Sequence, residues 1–332
     1  MLIRLSTHED LTGKPAMIIS GKTCKFMLAV ILYFAPGNAI TQTVTHKVSG
    51  PSRYAPSSSL SLVPEPEGGS FADAVFSDEY FRLVVPLPSG WRENEKGPVP
   101  SAGGYYVLGR FRTSGELRGT IAVDAQDIFF ADPVIESAME FSHRKEHQAA
   151  FMFEQVIDHP PQSTKIAGHD FVRLDYNGAG YHHASFSTVV RCHVVNIEIM
   201  SRFPDVFKQA EDNMSRISLL DIPNPASGGG PVPVCVKDYA TDANMIYRVE
   251  PEMVGPRYTK VPARFVIDTS GKVKHIHVIN ALPIQARSVQ EALAQWVFKP
   301  YVQNGHPVEV ETGILFEFPP SNRRPAVTAV SH

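Results

Sequence analysis

The stretch "EALAQWVFKP", Glu291 to Pro300, decides how the C-terminal third of the chain is read. Val289, Ala292, Leu293 and Trp296 follow the i, i+3, i+4, i+7 spacing of a one-faced helix, and Ala286 extends the stripe one turn back. Pro300 cannot continue a helix and pushes Lys299 toward an extended backbone, so a strand is expected to follow. Trp296 and Phe298, at the end of an apolar stripe, are expected to anchor a core; the rival reading is an exposed aromatic hot spot. Downstream, Val308, Val310, Thr312, Ile314, Phe316 and Phe318 point one way, and Glu309, Glu311, Gly313, Leu315 and Glu317 the other. Upstream, "PARFVIDTSGKVKHIHVINA" holds two β runs around Asp268-Thr269-Ser270-Gly271, with glycine supplying the positive φ of a tight loop. Ala263, Phe265 and Ile267 share a face, whereas Val273 and the pair Ile276/Val278 break alternation, which predicts either a bulge or a locally two-sided strand.

A hairpin, a helix ending W-x-F-K-P, a G-x-P-V turn and a closing alternating strand together resemble the TonB C-terminal domain. The residues that carry the resemblance are Gly271, Val273, Ala292, Leu293, Trp296, Phe298, Lys299, Pro300, Gly305, Pro307, Val308 and Phe316, within about residues 261–318. The upstream "GPRYTKVPARF" replaces the longer segment usual in that family. The resemblance implies a protein partner in the cell envelope, in the family the short peptide of an outer-membrane transporter. A closing strand at a sheet edge could accept such a peptide as an added strand, which makes Glu309, Val310, Glu311, Thr312, Gly313, Ile314 and Leu315 the candidate partner-binding residues. Glu309, Glu311 and Glu317 would discourage random pairing there.

An earlier unit, residues 71–220, opens with "YFRLVVPLPSGW", in which Phe81, Leu83 and Val85 alternate before two prolines. Tyr105–Phe111 and Leu117–Val123 form a hairpin, and Asp132-Pro133 reads as the start of a helix running to about Val156. Strands at Asp170–Tyr176, Tyr181–Val190 and His193–Arg202 precede a last helix from about Pro204 to Ile217. The expected fold class is α+β, an antiparallel sheet flanked by helices followed by a small hairpin-helix-strand unit. The element order, with "PLPSGW", "IAGHDFVRLDY" and "SRISLL", resembles the PsbP-like family over about residues 80–220, and implies assembly or binding and no shared catalytic residues.

The chain has 332 residues, 43% of them hydrophobic, and a formal charge of −3, enough for two cores and without the basic excess of a nucleic-acid binder. Lys22 and Lys25 precede the apolar run Phe26–Phe34 and the small residues Gly37 and Ala39, the layout of a signal peptide cleaved after Ala39. Translation starting at Met17 and an uncleaved, membrane-anchoring signal are the alternatives. The first 39 residues hold four basic and two acidic side chains, so the exported remainder is the more acidic part. Residues 40–70 and 321–332 read as disordered linker and tail. "DIPNPASGGGPVPV", residues 221–234, reads as a Pro/Gly-rich linker, and 235–320 as the second unit. Cys192 and Cys235 either pair in an oxidising compartment or stay as free thiols.

No catalytic signature is found. His143 and His147 are spaced i, i+4 but Arg144 stands where a zinc protease needs glutamate, so solvated helix-face histidines are expected. His275 and His277 share a strand face and lack an evident third ligand; an exposed hairpin face is the expectation. His182, His183 and His193 are dispersed by strand alternation, and Cys192 and His193, as strand neighbours, cannot form a dyad. No cofactor, metal or enzymatic activity is expected. The reading is an exported envelope protein that binds a partner by strand addition. Its rivals are a membrane-anchored TonB-type energy transducer, and a small-ligand-binding or degenerate enzyme domain with a docking module.

Overall fold

Alternation builds the first sheet. Its seven antiparallel strands run in the order Trp91–Glu95, Tyr105–Thr113, Gly119–Asp127, His193–Ser201, Tyr181–Val190, His169–Gly178 and Val156–Ile166. The computed structural model describes residues 58–59, 65–95, 97–219, 232–252, 260–318 and 326–328, all within one compact unit, Pro51–His332. The segment expected to be a signal peptide lies outside the described residues, as does most of the expected 221–234 linker. Among the described residues, no helix is long and apolar enough to cross a membrane.

One face of this sheet is apolar. Phe111, Ile121, Val123, Ile197 and Ile199 are buried there beneath a small sheet of Ser70–Ala72, Val75–Asp78, Leu83–Pro86 and Ser218–Leu219. Helix α2, Pro204–Met214, adds Val206, Ala210 and Met214 to the same core. The opposite face lies under helix α1, Ala138–His147, and is polar: Ser185 and Ser187 both donate to Asn196 Oδ1, and Glu198 gathers Lys145, His183 and Tyr176.

Two expectations are corrected here. Helix α1 starts six residues after Asp132, where the Ser137 hydroxyl caps the Glu140 N–H at 3.1 Å; Asp132-Pro133, a cis peptide, lies in the loop before it. The helical path ends at Met152, after a π-helical turn Gln148–Met152, short of the expected Val156; a strand, Val156–Ile166, then begins, and it tolerates Pro160 and Pro161 because it sits at the sheet edge, where missing N–H donors leave no ladder bond broken.

The second sheet is ordered Ser58–Ser59, Val273–Val278, Lys260–Ile267, Val310–Glu317 and Val234–Cys235, with Ala326–Thr328 also on Val310–Glu317. Helix α3, Pro283–Leu293, packs on it through Ala286, Val289 and Leu293. It ends before Trp296: the backbone turns at Ala294, and Val297–Phe298 is already a short strand paired with Met245–Tyr247. Parts of the presumed linker and tail are thus strands, because both edges of this sheet offer unpaired backbone groups.

Glu198 links stability to acid. Burial favours its neutral form, but Lys145 Nζ at 2.6 Å and bonds from His183 and Tyr176 outweigh burial and hold the carboxyl well below the usual range. A depressed folded pKa gives stability that is complete above the unfolded value of 4.5 and is lost as pH falls through the folded value. Glu198→Gln is expected to cost roughly 1–3 kcal/mol at neutral pH and to flatten the fall in melting temperature below pH 4.5, read by thermal unfolding across pH.

Candidate partner-binding site

The closing strand, Val310–Glu317, carries the candidate residues, and its inner side pairs along its whole length with Lys260–Ile267. The outer side is occupied in three parts. Val310 and Glu311 pair in parallel with Val234 and Cys235, the N–H of Val234 donating to the Glu309 carbonyl at 2.8 Å and that of Val236 to Glu311 at 3.0 Å. A disulfide joins Cys235 to Cys192, in the turn between strands Tyr181–Val190 and His193–Ser201 of the first sheet, with Cα atoms 5.7 Å apart, and so ties this bridging strand down. In the middle, Thr312 donates its hydroxyl to the Lys237 carbonyl, and a Cβ at Gly313 would lie 2.9 Å from Phe129 Cβ and 2.7 Å from the Phe130 ring. Only beyond this does Ala326–Thr328 pair with Leu315, Phe316 and Glu317.

The candidate edge is therefore corrected. Glu309–Ile314 is not free, because the first sheet and its disulfide-bound bridging strand cover it; Leu315–Glu317 carries a short strand with no cross-link. Pro262 opposite Leu315 gives its carbonyl to the Ile279 N–H, away from the closing strand, so this is a non-hydrogen-bonded pair and the Leu315 backbone groups face outward.

Glu311 and Glu309 do not act as edge charges either. Glu309 pairs with Lys274. Glu311 Oε1 accepts from Arg264 at 2.7 Å, and Arg264 also donates to Asp127 Oδ2 of the first sheet at 2.7 Å. His193 completes the group: its Nδ1 donates to the Arg191 carbonyl, leaving Nε2 to accept from Arg264 at 2.6 Å. Burial and then the Arg264 charge push His193 well below the ordinary histidine range, so the ring is neutral, with Tyr80, Phe81 and Tyr106 around it. Burial lifts Asp127 to about 6 against the pull of Arg264.

The signature residues of the second unit are structural. Trp296 and Phe298, 1% and 0% exposed, meet Phe316 and Phe265 in the core. The indole N–H of Trp296 donates to the Val249 carbonyl. Gly271, at φ 88°, is required because a Cβ there would overlap the Phe298 carbonyl oxygen, while the Phe298 N–H donates to Gly271 O. Lys299 binds the preceding loop through Ala243 O and Asn244 O, next to Pro300. Asn304 and Gly305, both at positive φ, form the two-residue turn before Pro307 and Val308, and Val273 borders the same core. Leu293 is fully buried.

Residues 257–319 match the family model of the Gram-negative bacterial TonB protein C-terminal. The TonB-like unit is thus the second sheet with α3. Among solved structures, the chain is similar to the Pseudomonas aeruginosa TonB C-terminal domain, at 26% identity over 26% of this chain and 95% of that one, with a TM-score of 0.19. It is also similar to cyanobacterial PsbP (CyanoP) from Synechocystis, at 15% identity over 46% of this chain and 98% of that one, with a TM-score of 0.33. Comparison with curated proteins gives no match.

The histidines are dispersed. His143 pairs with Glu146, His147 stacks on Phe151, His183 binds Glu198, and His182 lies near Phe207. His277 departs from expectation: it is buried, because a bulge at His275 (φ 51°) turns it beneath the arm that carries Glu65 and Glu67.

Removing Arg264 would strand Asp127 and Glu311 at the junction of the two sheets. Arg264→Ala is expected to cost about 3–5 kcal/mol, measured by urea unfolding, and Arg264→Lys to recover little of it because one ammonium cannot reproduce the planar fork.

Proposed function

We propose that this chain is an exported, non-enzymatic envelope protein that binds a protein partner through its TonB-like unit, by strand addition at Leu315–Glu317. The observation that carries the reading is the divided outer side of the closing strand: a cross-linked half, and a half held, among the described residues, only by Ala326–Thr328. An extended partner segment would replace that short strand and use the outward backbone groups of Leu315. Main-chain hydrogen bonds supply affinity in this mode and alternate side chains supply selectivity.

The family description supports an envelope setting and a bacterial partner of the outer-membrane transporter kind. A disulfide across the two units fits an oxidising, exported compartment. The non-enzymatic reading is supported by how the reactive side chains are used: Cys192 is in the disulfide and His193 is closed beneath Arg264.

A chain ending at Phe318, which lacks Ala326–Thr328, is expected to capture its partner from Gram-negative envelope extract at least severalfold better than the full chain. Leu315→Pro in the shortened chain removes an outward donor and is expected to abolish the gain. Equal capture by all three proteins, with circular dichroism showing them folded, would sink the strand-addition reading.

A further inference from the structure

The bulge that buries His277 also brings it into an acidic pocket. The ring is 7% exposed, with Glu65 Oε1 3.7 Å from Nδ1 and Glu67 Oε1 3.3 Å from Nε2. Neither ring nitrogen makes a well-aligned hydrogen bond, and neither oxygen of Glu67 does. One donor atom from each of the three residues falls within a 4.8 Å group. A separate feature adjoins: a cavity of about 210 Å3 lined by Glu67, Glu93 and Tyr106, where the hydroxyl of Tyr106, itself 1% exposed, has no hydrogen-bond partner. Asp78 Oδ2, likewise unpaired, would lie 3.4 Å from a Cβ at Gly69, which also lines the cavity.

Charge selects what such a pocket takes. Two carboxylates around a protonated imidazole leave one negative charge uncompensated in a partly desolvated site. A divalent cation on a neutral imidazole leaves none, which lowers the cost of burying the charges.

We infer that Glu65, Glu67 and His277 form a site for a divalent transition-metal ion of the zinc class, which clasps the N-terminal arm to the TonB-like sheet. One imidazole nitrogen and two carboxylate oxygens are a ligand set that zinc accepts, and oxygen donors around zinc lie about 2.0–2.2 Å from the metal, close to one another. Three protein ligands leave a fourth position that water would fill to complete a tetrahedron. The clasp has a structural consequence, because the arm strand Ser58–Ser59 pairs with Val278 and His277 themselves. Metal at this point fixes the arm over the sheet edge opposite the closing strand.

The test uses the full exported chain, stripped with chelator and carrying His143→Ala to remove the exposed i, i+4 histidine pair. Calorimetric titration with zinc alone is expected to show one ion per chain, and His277→Ala and Glu67→Gln are each expected to weaken binding at least roughly tenfold, as loss of a ligand does. His275→Ala on the same strand should change affinity less than twofold. Zinc should also slow hydrogen exchange at His277 and Val278 in the parent and not in Glu67→Gln. Absence of stoichiometric binding, or unchanged affinity in Glu67→Gln shown folded by circular dichroism, overturns the inference even if His277→Ala fails to fold.

Discussion

The buried guanidinium of Arg264 is the constraint on which the arrangement rests. It projects from a strand of the TonB-like sheet, binds Asp127 of the first sheet and Glu311 of its own, and lies over the Phe129 ring with its central carbon 5.1 Å from the centroid. Such a charge is expensive to desolvate and is tolerated only where its partners are fixed in advance. The partners are fixed: Asp127 also accepts the Phe129 N–H at 2.7 Å, and the neutral His193 is held by the Arg191 carbonyl. The disulfide, the bridging strand and the contact at Gly313 lie around this group, so the same junction that joins the two units also covers most of the closing strand.

What was legible in the sequence was whatever depended on neighbours in the chain. The alternation of Val310 to Phe318, the positive φ at Gly271 and the broken alternation that becomes the bulge at His275 are local demands of backbone and side-chain geometry. The α3 stripe was legible too, but not its end. Trp296 continues the helical spacing while reaching the same core from an extended segment, so a periodicity of 3.6 and a turn into a strand bury the same residue.

The site was harder to read because its decisive contacts join distant segments. Arg264, between apolar neighbours, has the pattern of an outward residue on a half-solvated strand; it is buried because another sheet stands where water would be. Glu311 looked like an edge charge for the same reason. His277 lacked a third ligand in its own neighbourhood, whereas Glu65 and Glu67 come from "PEPEGG", a stretch whose composition reads as linker. Edge character itself is a property of the whole sheet, and no strand states in its own residues what will lie beside it.

The bridging, arm and tail strands share a further consequence, in the order of events during folding. Arg264 and Asp127 are 137 positions apart, and the arm strand meets Val278 across almost the whole described chain. Contacts of such separation form late, because the intervening chain must first be shortened by structure of its own. The first sheet, made of hairpins between consecutive strands over much of its width, can assemble before the junction exists. The TonB-like sheet then acquires its neighbours in sequence, and its edges are open for an interval during synthesis that the finished molecule no longer shows.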